Sequence, residues 1–400
     1  SGDIVKFRGE SRGLTVGTSA DGVTFTHWDD ILPSDEPWIR GDVQIAPIDW
    51  VSNGDGTYKA ELAAEPASMH YNIGTSIDLE SRHFGHLQYV KPSAGMTTPD
   101  AGGDYSYTAK GVSGVVMTGN NCTVKDIRSS FWTDDDSNWG YGIRITGTGG
   151  TIEDCWVDDC GYHGIGLTNA NPQAGTLKRC QIWGSADTMF VVHSESGDVD
   201  GATVEDLDMH IYSRLGVDGN PVAVESFTAY FTHAGGTVRS VENKRIRFIG
   251  YGEANCNLFA GTDCAAVSQA DRHGSQNYAV RFYDSEIVNG AYIYMGGGGT
   301  VSATFVRSKL SLDDAVNYPE ATNDTAINVF TGSQLLLEAC VVYTEINSTT
   351  TDTLFYLRNN SSTRLTLIGT LCVITGVANT NNSGFFHSNG WAQTGGLECY

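Results

Sequence analysis

Short segments of alternating apolar and polar residues run through most of the chain. Segments 142–145, 164–167 and 188–192 are examples, rich in Ile, Val, Leu and Thr and bounded by Gly, Asn and Asp. Alternation with a period of two is typical of strands with one buried face. A helical period is almost absent from the sequence. We therefore predict an all-β chain built from many short strands.

A five-residue pattern returns along the chain at intervals of less than thirty residues. Clear copies begin at Thr123, Thr151, Thr176 and Thr203, with spacings of 28, 25 and 27 residues, and weaker copies occupy 237–241 and 336–340. Such self-similarity indicates a solenoid or a propeller, and a propeller blade needs about forty residues. The spacing therefore favours a right-handed parallel β-helix, of about ten coils for a chain of this length.

One position of the repeat is always apolar or a thiol. Its members are Ile127, Cys155, Cys180, Leu207, Val241 and Cys340. Neighbouring coils of a β-helix stack strand on strand, so this position predicts a column that faces the interior. The nine cysteines include no Cys-x-x-Cys pair. We interpret the column cysteines as small core residues and not as metal ligands or nucleophiles.

The two ends of the chain differ from the repeat. Residues 1–110 carry irregularly spaced Trp and Pro and a tight Asn-Gly-Asp-Gly turn at 53–56. We predict that they form the first coils, with strands in 13–26, and an inserted β-rich cap. A solenoid needs caps to cover its open edges. Residues 111–385 are predicted to be the β-helix and 386–400 a C-terminal cap.

Composition and charge limit the classes of molecule that the chain is expected to bind. The chain has 48 Gly but only 9 Pro. Scarce Pro fits stacked strands, because Pro lacks the backbone N–H that each strand donates to its neighbour. Acidic residues number 47 against 24 basic ones, a formal charge of -23. A strongly acidic surface argues against a nucleic-acid partner, and no apolar stretch is long enough to cross a bilayer. We expect an extracellular protein, either secreted or carried on a virion, with no nucleic-acid or membrane partner.

The repeat resembles a known superfamily. Segments 142–160, 164–183 and 188–211 are similar to coils of right-handed parallel β-helix proteins, which include pectate-lyase-like polysaccharide lyases, rhamnogalacturonase-type hydrolases and bacteriophage tailspike depolymerases. Segment 50–64 is similar to an insertion near their first coil. The resemblance covers about residues 110–385 and is architectural. Neither the Asn-Thr-Asp and Gly-His-Gly pair of polygalacturonases nor the Arg-x-Pro-x-x-Arg of pectate lyases is present, and 161–164 (Gly-Tyr-His-Gly) is only close to the former. The resemblance implies a polysaccharide substrate.

Residues that flank the inward column predict a first candidate site on one outer face. Trp156 and Trp183 are expected to bind sugar rings, and the catalytic candidates are His210, Tyr212, Asp208, Lys244, Arg245 and Arg247. β-Elimination on a uronic-acid polymer needs a base, an acid at the leaving oxygen and a cation at the carboxylate. This set could supply all three groups, so a polysaccharide lyase is the first hypothesis.

A second face predicts a glycoside hydrolase instead. Its candidates are Asp187, His193, Glu195 and Glu225, with Asp208 as a further carboxylate. Two carboxylates across a groove provide the acid and the base or nucleophile of glycoside hydrolysis. We place His193 and Glu225 on adjacent coils in this interpretation.

The long unit at 207–237 marks the region where a binding groove is expected, because functional loops grow where a groove is walled. It adds Arg214, Tyr230 and His233 as substrate-binding candidates. Residues 134–136 are three consecutive Asp that could hold Ca²⁺ through oxygen ligands. No other metal or cofactor is predicted.

A non-catalytic β-helix is the third hypothesis: a receptor-binding spike or adhesin that only binds glycan. Such spikes are often trimers that bury apolar outward side chains. Tyr292, Tyr294, Phe330 and Tyr356 form an outward column of this kind in the predicted alignment. A homotrimer is therefore expected if the chain is a spike.

Overall fold

The computed structural model describes most of the chain. The described residues are 2–12, 15–27, 37–71, 75–76, 82–84, 86–92, 96–103, 105–109, 113–132, 140–160, 163–169, 175–185, 188–194, 199–211, 214–215, 221–222, 226–232, 238–250, 277–290, 293–295, 300–312, 325–329, 332–346, 353–357, 363–376, 384–388 and 397–399. Statements below concern these residues.

Three long sheets, in which every neighbouring pair of strands is parallel, make up the body of the protein. The first sheet contains, in order, β1 (Ile4–Phe7), β4 (Thr24–His27), β15 (Thr123–Lys125), β18 (Thr151–Glu153), β21 (Thr176–Lys178), β25 (Thr203–Glu205), β30 (Val238–Lys244), β32 (Asn277–Tyr283), β35 (Thr300–Val306), β38 (Gln334–Glu338), β41 (Arg364–Ile368) and β44 (Leu397–Cys399), with β24 (Val199–Asp200) beside β30.

The second sheet contains β2 (Glu10–Arg12), β5 (Trp38–Arg40), β16 (Arg128–Ser130), β19 (Trp156–Cys160), β22 (Gln181–Ser185), β26 (Asp208–Ile211), β31 (Arg247–Gly250), β33 (Glu286–Gly290), β36 (Lys309–Leu312), β39 (Val341–Ile346) and β42 (Leu371–Gly376). The third contains β3 (Val16–Thr18), β14 (Val115–Met117), β17 (Tyr141–Ile145), β20 (His163–Asn169), β23 (Thr188–Ser194) and β29 (Ser226–Thr232).

The chain visits the three sheets in turn, as β15, β16 and β17 and then β18, β19 and β20 show. Downstream, a four-stranded parallel sheet follows the second sheet in the same way, formed by β34 (Ile293–Met295), β37 (Thr325–Val329), β40 (Thr353–Leu357) and β43 (Gly384–Ser388). This path is that of a parallel β-helix, so the predicted fold class is confirmed. No helix in the described residues is long and apolar enough to cross a membrane.

The interior is a single apolar cluster that runs along the solenoid. Buried side chains from all the parallel sheets, such as Val124, Val157 and Ile143, are members. The repeat is in register as predicted, because Thr123, Thr151, Thr176 and Thr203 are consecutive partners in the first sheet. Burial raises the pKa of the Cys155 thiol well above its usual value, as a core residue requires.

One part of the predicted alignment is wrong. The sequence pattern places 237–241 in the repeat, but the strand pairing matches Val204 with Asn243 and Glu205 with Lys244. The copy is therefore 242–246, and Ile246 takes the place of Leu207. The pattern was hidden because Asn243 occupies an inward position, where it is buried and its Nδ2 donates to the carbonyl oxygen of Arg281 at 3.1 Å.

A left-handed residue joins the first sheet to the second in every described coil from β15 onward. The corner residues are Asp126, Asp154, Arg179, Asp206, Arg245, Asp284, Arg307, Ala339 and Gly369, with φ between 49° and 55°. One residue with positive φ turns the chain sharply and lets the next strand pair at once. Asp tolerates this conformation better than most residues, whereas Arg and Ala adopt it at a cost.

Ion pairs between coils accompany these corners. Arg179 lies against Asp154 at 2.6 Å and Arg307 against Asp284 at 2.7 Å, and Arg245 contacts Asp206 in the same way. Hydrogen bonds from Arg179 lower the pKa of Asp154, and those from Arg245 lower the pKa of Asp206. The charges of the corner column are thus paired along the solenoid.

Glycines allow the closest approach between coils at the corner that leads into the first sheet. A Cβ on Gly147 would lie 1.7 Å from the carbonyl oxygen of Gly119, one coil earlier. No side chain fits at that distance. Part of the high glycine content is therefore required by coil-to-coil stacking at the corners.

An antiparallel unit is inserted between β5 and β14. It comprises one sheet of β10 (Thr75–Ser76), β9 (Pro66–Tyr71), β13 (Tyr105–Ala109) and β6 (Asp42–Ile45), and another of β11 (Arg82–Phe84), β12 (Leu87–Val90), β8 (Tyr58–Glu61) and β7 (Val51–Ser52), with short 3-10 turns at Pro47–Asp49 and Pro99–Ala101. Trp50, Tyr105 and Tyr107 belong to its separate core. The first coil begins earlier than 13–26, at β1. At the other end, β43 and β44 continue the parallel sheets.

We expect Ala339→Gly to stabilise the protein by about 0.5–1 kcal/mol, because glycine relieves the cost of the left-handed corner. Urea denaturation would measure the change in the free energy of unfolding. Ala279→Gly is the matched control: Ala279 is exposed inside β32, where glycine costs about 0.5–1 kcal/mol. Equal effects of the two substitutions would contradict strain at the corner.

Candidate active site

Charged and aromatic side chains gather on the outer face of the second sheet. Val157, Ile182 and Met209 are buried in the core, so the residues on either side of each point outward. The strand register arranges these neighbours in two columns. The first column is Trp38, Arg128, Trp156, Gln181, Asp208, Arg247, Glu286 and Lys309, and the second is Arg40, Ser130, Asp158, Trp183 and His210.

Aromatic rings and guanidinium groups stack along this face from β5 to β26. The guanidinium carbon of Arg128 lies 4.0 Å from the ring centre of Trp38 and 4.6 Å from that of Trp156. Trp183 stacks on His210 with ring centres 3.7 Å apart and planes 5° apart. We call Arg40, Trp38, Arg128, Trp156, Trp183 and His210 the cation–aromatic ladder. Contacts of this kind contribute roughly 0.5–2 kcal/mol each.

Asp158 fixes the upstream half of the ladder. Arg128 Nη2 donates to Asp158 Oδ2 at 2.6 Å, and the Ser130 hydroxyl donates to the other carboxylate oxygen. Trp38 Nε1 in turn donates to Ser130 Oγ at 2.7 Å. The Asp158 side chain is only 12% exposed. A single carboxylate therefore orients both Arg128 and Trp38.

Arg40 attaches the ladder to the inserted unit. Its guanidinium lies 4.3 Å from the Trp38 ring centre and donates twice to Asp42, the first residue of β6, at 2.7 Å each. Both side chains are fully buried. The inserted unit thus leaves the β-helix directly beside the upstream end of the candidate site.

The stacking limits which ring surfaces a ligand can reach. His210 covers one face of Trp183, and Arg128 covers one face of Trp156. The two indoles are tilted by 40° with ring centres 6.4 Å apart. Trp156 is still 39% exposed. The predicted pair of sugar-binding tryptophans is brought together, but each indole has one face covered by a neighbouring side chain.

His210, Asp208 and Arg247 meet at the downstream end of the ladder. His210 Nε2 lies 3.2 Å from Asp208 Oδ2, and Arg247 Nη1 lies 3.8 Å from the same oxygen. Arg247 is 52% exposed and its other contact, to Glu286, is 3.7 Å long. Arg247 is therefore held loosely, in contrast to Arg128. The site combines an imidazole held by a ring stack with an exposed cation that makes only long contacts.

The rest of the predicted basic cluster lies elsewhere. Arg245 is a corner residue paired with Glu205 and Asp206, and Lys244 is on the first sheet, 2.8 Å from Glu242. The left-handed turn at Arg245 sends residues before and after it to different sheets. Three basic residues within four positions of sequence are thus split, and only Arg247 joins His210.

The alternative carboxylate set cannot be assembled from the described residues. Asp187, Glu195 and Glu225 lie outside them, as do Tyr212 and His233. His193 is paired with Phe231 of β29, on the adjacent coil, and Glu225 lies outside the described residues, so its position relative to His193 stays a prediction. Arg214 is in β27 (Arg214–Leu215), which pairs with β28 (Pro221–Val222), and Tyr230 is paired with Val192.

Sequence reasoning missed Trp38, Arg128 and the positioning role of Asp158. Arg128 follows the inward Ile127 as Trp156 follows Cys155, so the repeat itself could have identified it. Trp38 gave no such signal, because the inserted unit separates it from the repeat.

A further cluster lies on the third sheet and was also not predicted. The ring centre of His163 lies 4.9 Å from that of Tyr141, and both side chains are buried beside Arg144.

Among the described residues, no group of three or more His, Cys, Asp or Glu side chains is placed to hold a metal ion. The predicted Ca²⁺ candidates, Asp134, Asp135 and Asp136, lie outside the described residues.

Comparison with known proteins gives distant structural similarities. No family model and no curated protein matches the chain. A structure of XylC in complex with xylose is similar over 93% of this chain and 81% of its own, with 9% identity and a TM-score of 0.48. A glycoside hydrolase is similar over 93% and 88%, with 9% identity and a TM-score of 0.42.

The Gp54 tailspike of Acinetobacter baumannii bacteriophage AP22, in complex with a capsular saccharide, is aligned over 98% of this chain and 71% of its own, with 10% identity and a TM-score of 0.18. Similarities this distant transfer neither residues nor activities to this chain.

We expect Arg128→Met to destabilise the protein by about 2 kcal/mol, because Asp158 loses a charged hydrogen bond while it stays largely buried. Thermal denaturation followed by tryptophan fluorescence would measure the loss and report on Trp38 and Trp156. Arg179→Met, at an exposed corner, is the control and should have a much smaller effect. An equal effect of both substitutions would argue that the ladder adds nothing.

Proposed function

We propose that this chain degrades an acidic polysaccharide on the outer face of the second sheet, by β-elimination. The observation that carries the proposal is the His210–Asp208 pair next to the loosely held Arg247. A base and a mobile cation are the two groups that proton abstraction beside a sugar carboxylate requires. The exposed edge of Trp156 lies on the same face, upstream.

In this mechanism Arg247 moves from its long contacts to the substrate carboxylate and stabilises the charge that develops there. His210, oriented by the Trp183 stack and by Asp208, takes the proton from C5 of the uronate. The electron pair of the C5–H bond forms a C4–C5 double bond, and the bond from C4 to the glycosidic oxygen breaks. The leaving oxygen takes a proton from an acid, for which Tyr212 stays the prediction.

The length of the first column supports a polymer as substrate. From Trp156 to Arg247 the first column crosses three strand spacings, roughly 14 Å, which exceeds a single sugar ring. Only two residues of sequence separate β19 from β20 and β22 from β23, so these connections add little chain beside Trp156 and Gln181. An enzyme that meets such a polymer is expected outside the cell.

We expect the wild-type chain to release unsaturated uronate ends, measured by ultraviolet absorbance, from at least one of alginate, pectate and hyaluronan. His210→Asn should lower kcat about 10²-fold or more, because the base is lost, and Arg247→Gln about tenfold or more. Arg307→Gln, at an exposed corner, is the control and should retain activity. Absence of unsaturated product with all three polymers would refute the lyase, and new reducing ends without it would indicate hydrolysis.

A glycan-binding protein without catalysis is the second candidate. The described Arg and Lys side chains of this face, namely Arg12, Arg40, Arg128, Arg247 and Lys309, each contact a protein carboxylate. A face on which each of these cations is already paired with a carboxylate suits glycan binding as well as it suits glycan cleavage. Binding of a polymer by affinity electrophoresis without any cleavage would favour this candidate.

A homotrimer stays a prediction for the case that the chain is tailspike-like, whether it cleaves glycan or only binds it. In register, Tyr294 and Tyr356 lie two strands apart with Asn328 between them, while Tyr292 and Phe330 lie outside the described residues. Leu371 on the second sheet is 58% exposed. We expect light scattering at micromolar concentration to give three times the chain mass if the protein is a spike, and a monomer would contradict it.

A further inference from the structure

Gln181 occupies the centre of the candidate site. In the first column it lies between Trp156 on β19 and Asp208 on β26. Its neighbour Ile182 is buried, and Gln181 itself is exposed. Among the described residues of that column from β5 to β36, Gln181 is the only uncharged polar one. Its amide therefore faces any ligand that crosses from Trp156 to Arg247.

The orientation of this amide follows from its contact with Trp183. Trp183 Nε1 donates to Gln181 Oε1 at 3.4 Å. An indole N–H can only donate, so the atom that faces it must be the oxygen. The Nε2 group, which only donates, is consequently the end turned away from Trp183. The site thus presents a neutral donor one strand away from Asp208.

Electrostatic repulsion explains why a neutral donor suits position 181 better than a carboxylate. Asp208 is the next residue in the column, and a carboxylate at 181 would place two like charges on directly opposite positions of adjacent strands. A ligand carboxylate faces the same repulsion from Asp208 unless donors offset it. Arg247 can do so on one side of Asp208, and the amide of Gln181 on the other.

We propose that Gln181 is a specificity-determining residue: its Nε2 donates to the carboxylate of a second uronate, upstream of the one that Arg247 neutralises. This inference rests on the proposed function and narrows its substrate to polymers with acidic groups on neighbouring sugars. Two strand spacings, roughly 9.6 Å, separate the backbones of the two residues. This spacing suits one donor for each of two sugars, which is the arrangement we propose.

The test compares Gln181→Ala and Gln181→Glu with Gln334→Glu as the matched control. Gln334 is an exposed glutamine at the start of β38, on the first sheet. The probes are oligosaccharides of alginate or pectate, whichever the wild-type chain binds, and the same oligosaccharides with their carboxyl groups reduced to alcohols. Binding of hyaluronan alone, in which uronates alternate with neutral sugars, would overturn the inference. Calorimetry gives Kd for each, and a thermal melt checks that each variant is folded.

For the acidic oligosaccharides we expect Kd to rise about tenfold in Gln181→Ala, where a hydrogen bond to a charged group is lost. It should rise about a hundredfold in Gln181→Glu, where like charges meet. For the reduced oligosaccharides, Gln181→Glu should match the wild-type chain within about twofold, because no carboxylate remains to repel. Gln334→Glu should change neither value.

Each other outcome is decisive. If Gln181→Glu weakens both kinds of probe equally, or neither, Gln181 does not recognise a carboxylate, while the proposed polysaccharide function stands. If the wild-type chain binds none of the three polymers, the proposed function fails and this inference fails with it. Binding of the reduced probes as tight as the acidic ones by the wild-type chain would also overturn the inference.

Discussion

The whole structure depends on a single-residue left-handed corner between the first and second sheets. Each described coil from β15 onward turns at one residue, such as Asp154, Asp206 or Asp284, with φ near 50°, and the next strand begins almost immediately. Because the corner has constant length, successive coils stay in register over both sheets. That register aligns apolar residues into one continuous core and polar residues into columns on the outside. The candidate site is a consequence of this stacking.

Because the coils stack in register, residues of the same type make different contacts according to the column in which they lie. Arg245 and Arg247 are two positions apart, yet one pairs with Asp206 at a corner and the other approaches Asp208 on the outer face. Arg128, two positions after a corner, is held between two indoles by Asp158. The corner pairs are exposed and contribute little individually, whereas the ladder places His210 flat against Trp183. A stacked imidazole and a cation with only long contacts thus lie side by side.

The ladder also bears on the substrate class that we propose. Ring faces of Trp156 and Trp183 are partly used for contacts along the solenoid, which leaves less ring surface for a sugar. Gln181 and Asp208 form a polar floor, with Arg247 at its downstream end. Recognition then rests on charge and hydrogen bonding more than on stacking, which is why an acidic polymer is the substrate class we propose.

The amino-acid sequence by itself determined the fold class, since the period of the Thr-led repeat and the inward column from Ile127 to Leu207 require stacked parallel coils. It also placed Trp156, Trp183 and His210 on one face, because period-two alternation follows directly from the pleat. The sequence could not show that Arg245 leaves this face, that Asn243 is buried, or that Trp38 joins across the inserted unit. Those facts depend on backbone φ and on contacts between residues up to about a hundred positions apart, which only the tertiary structure decided.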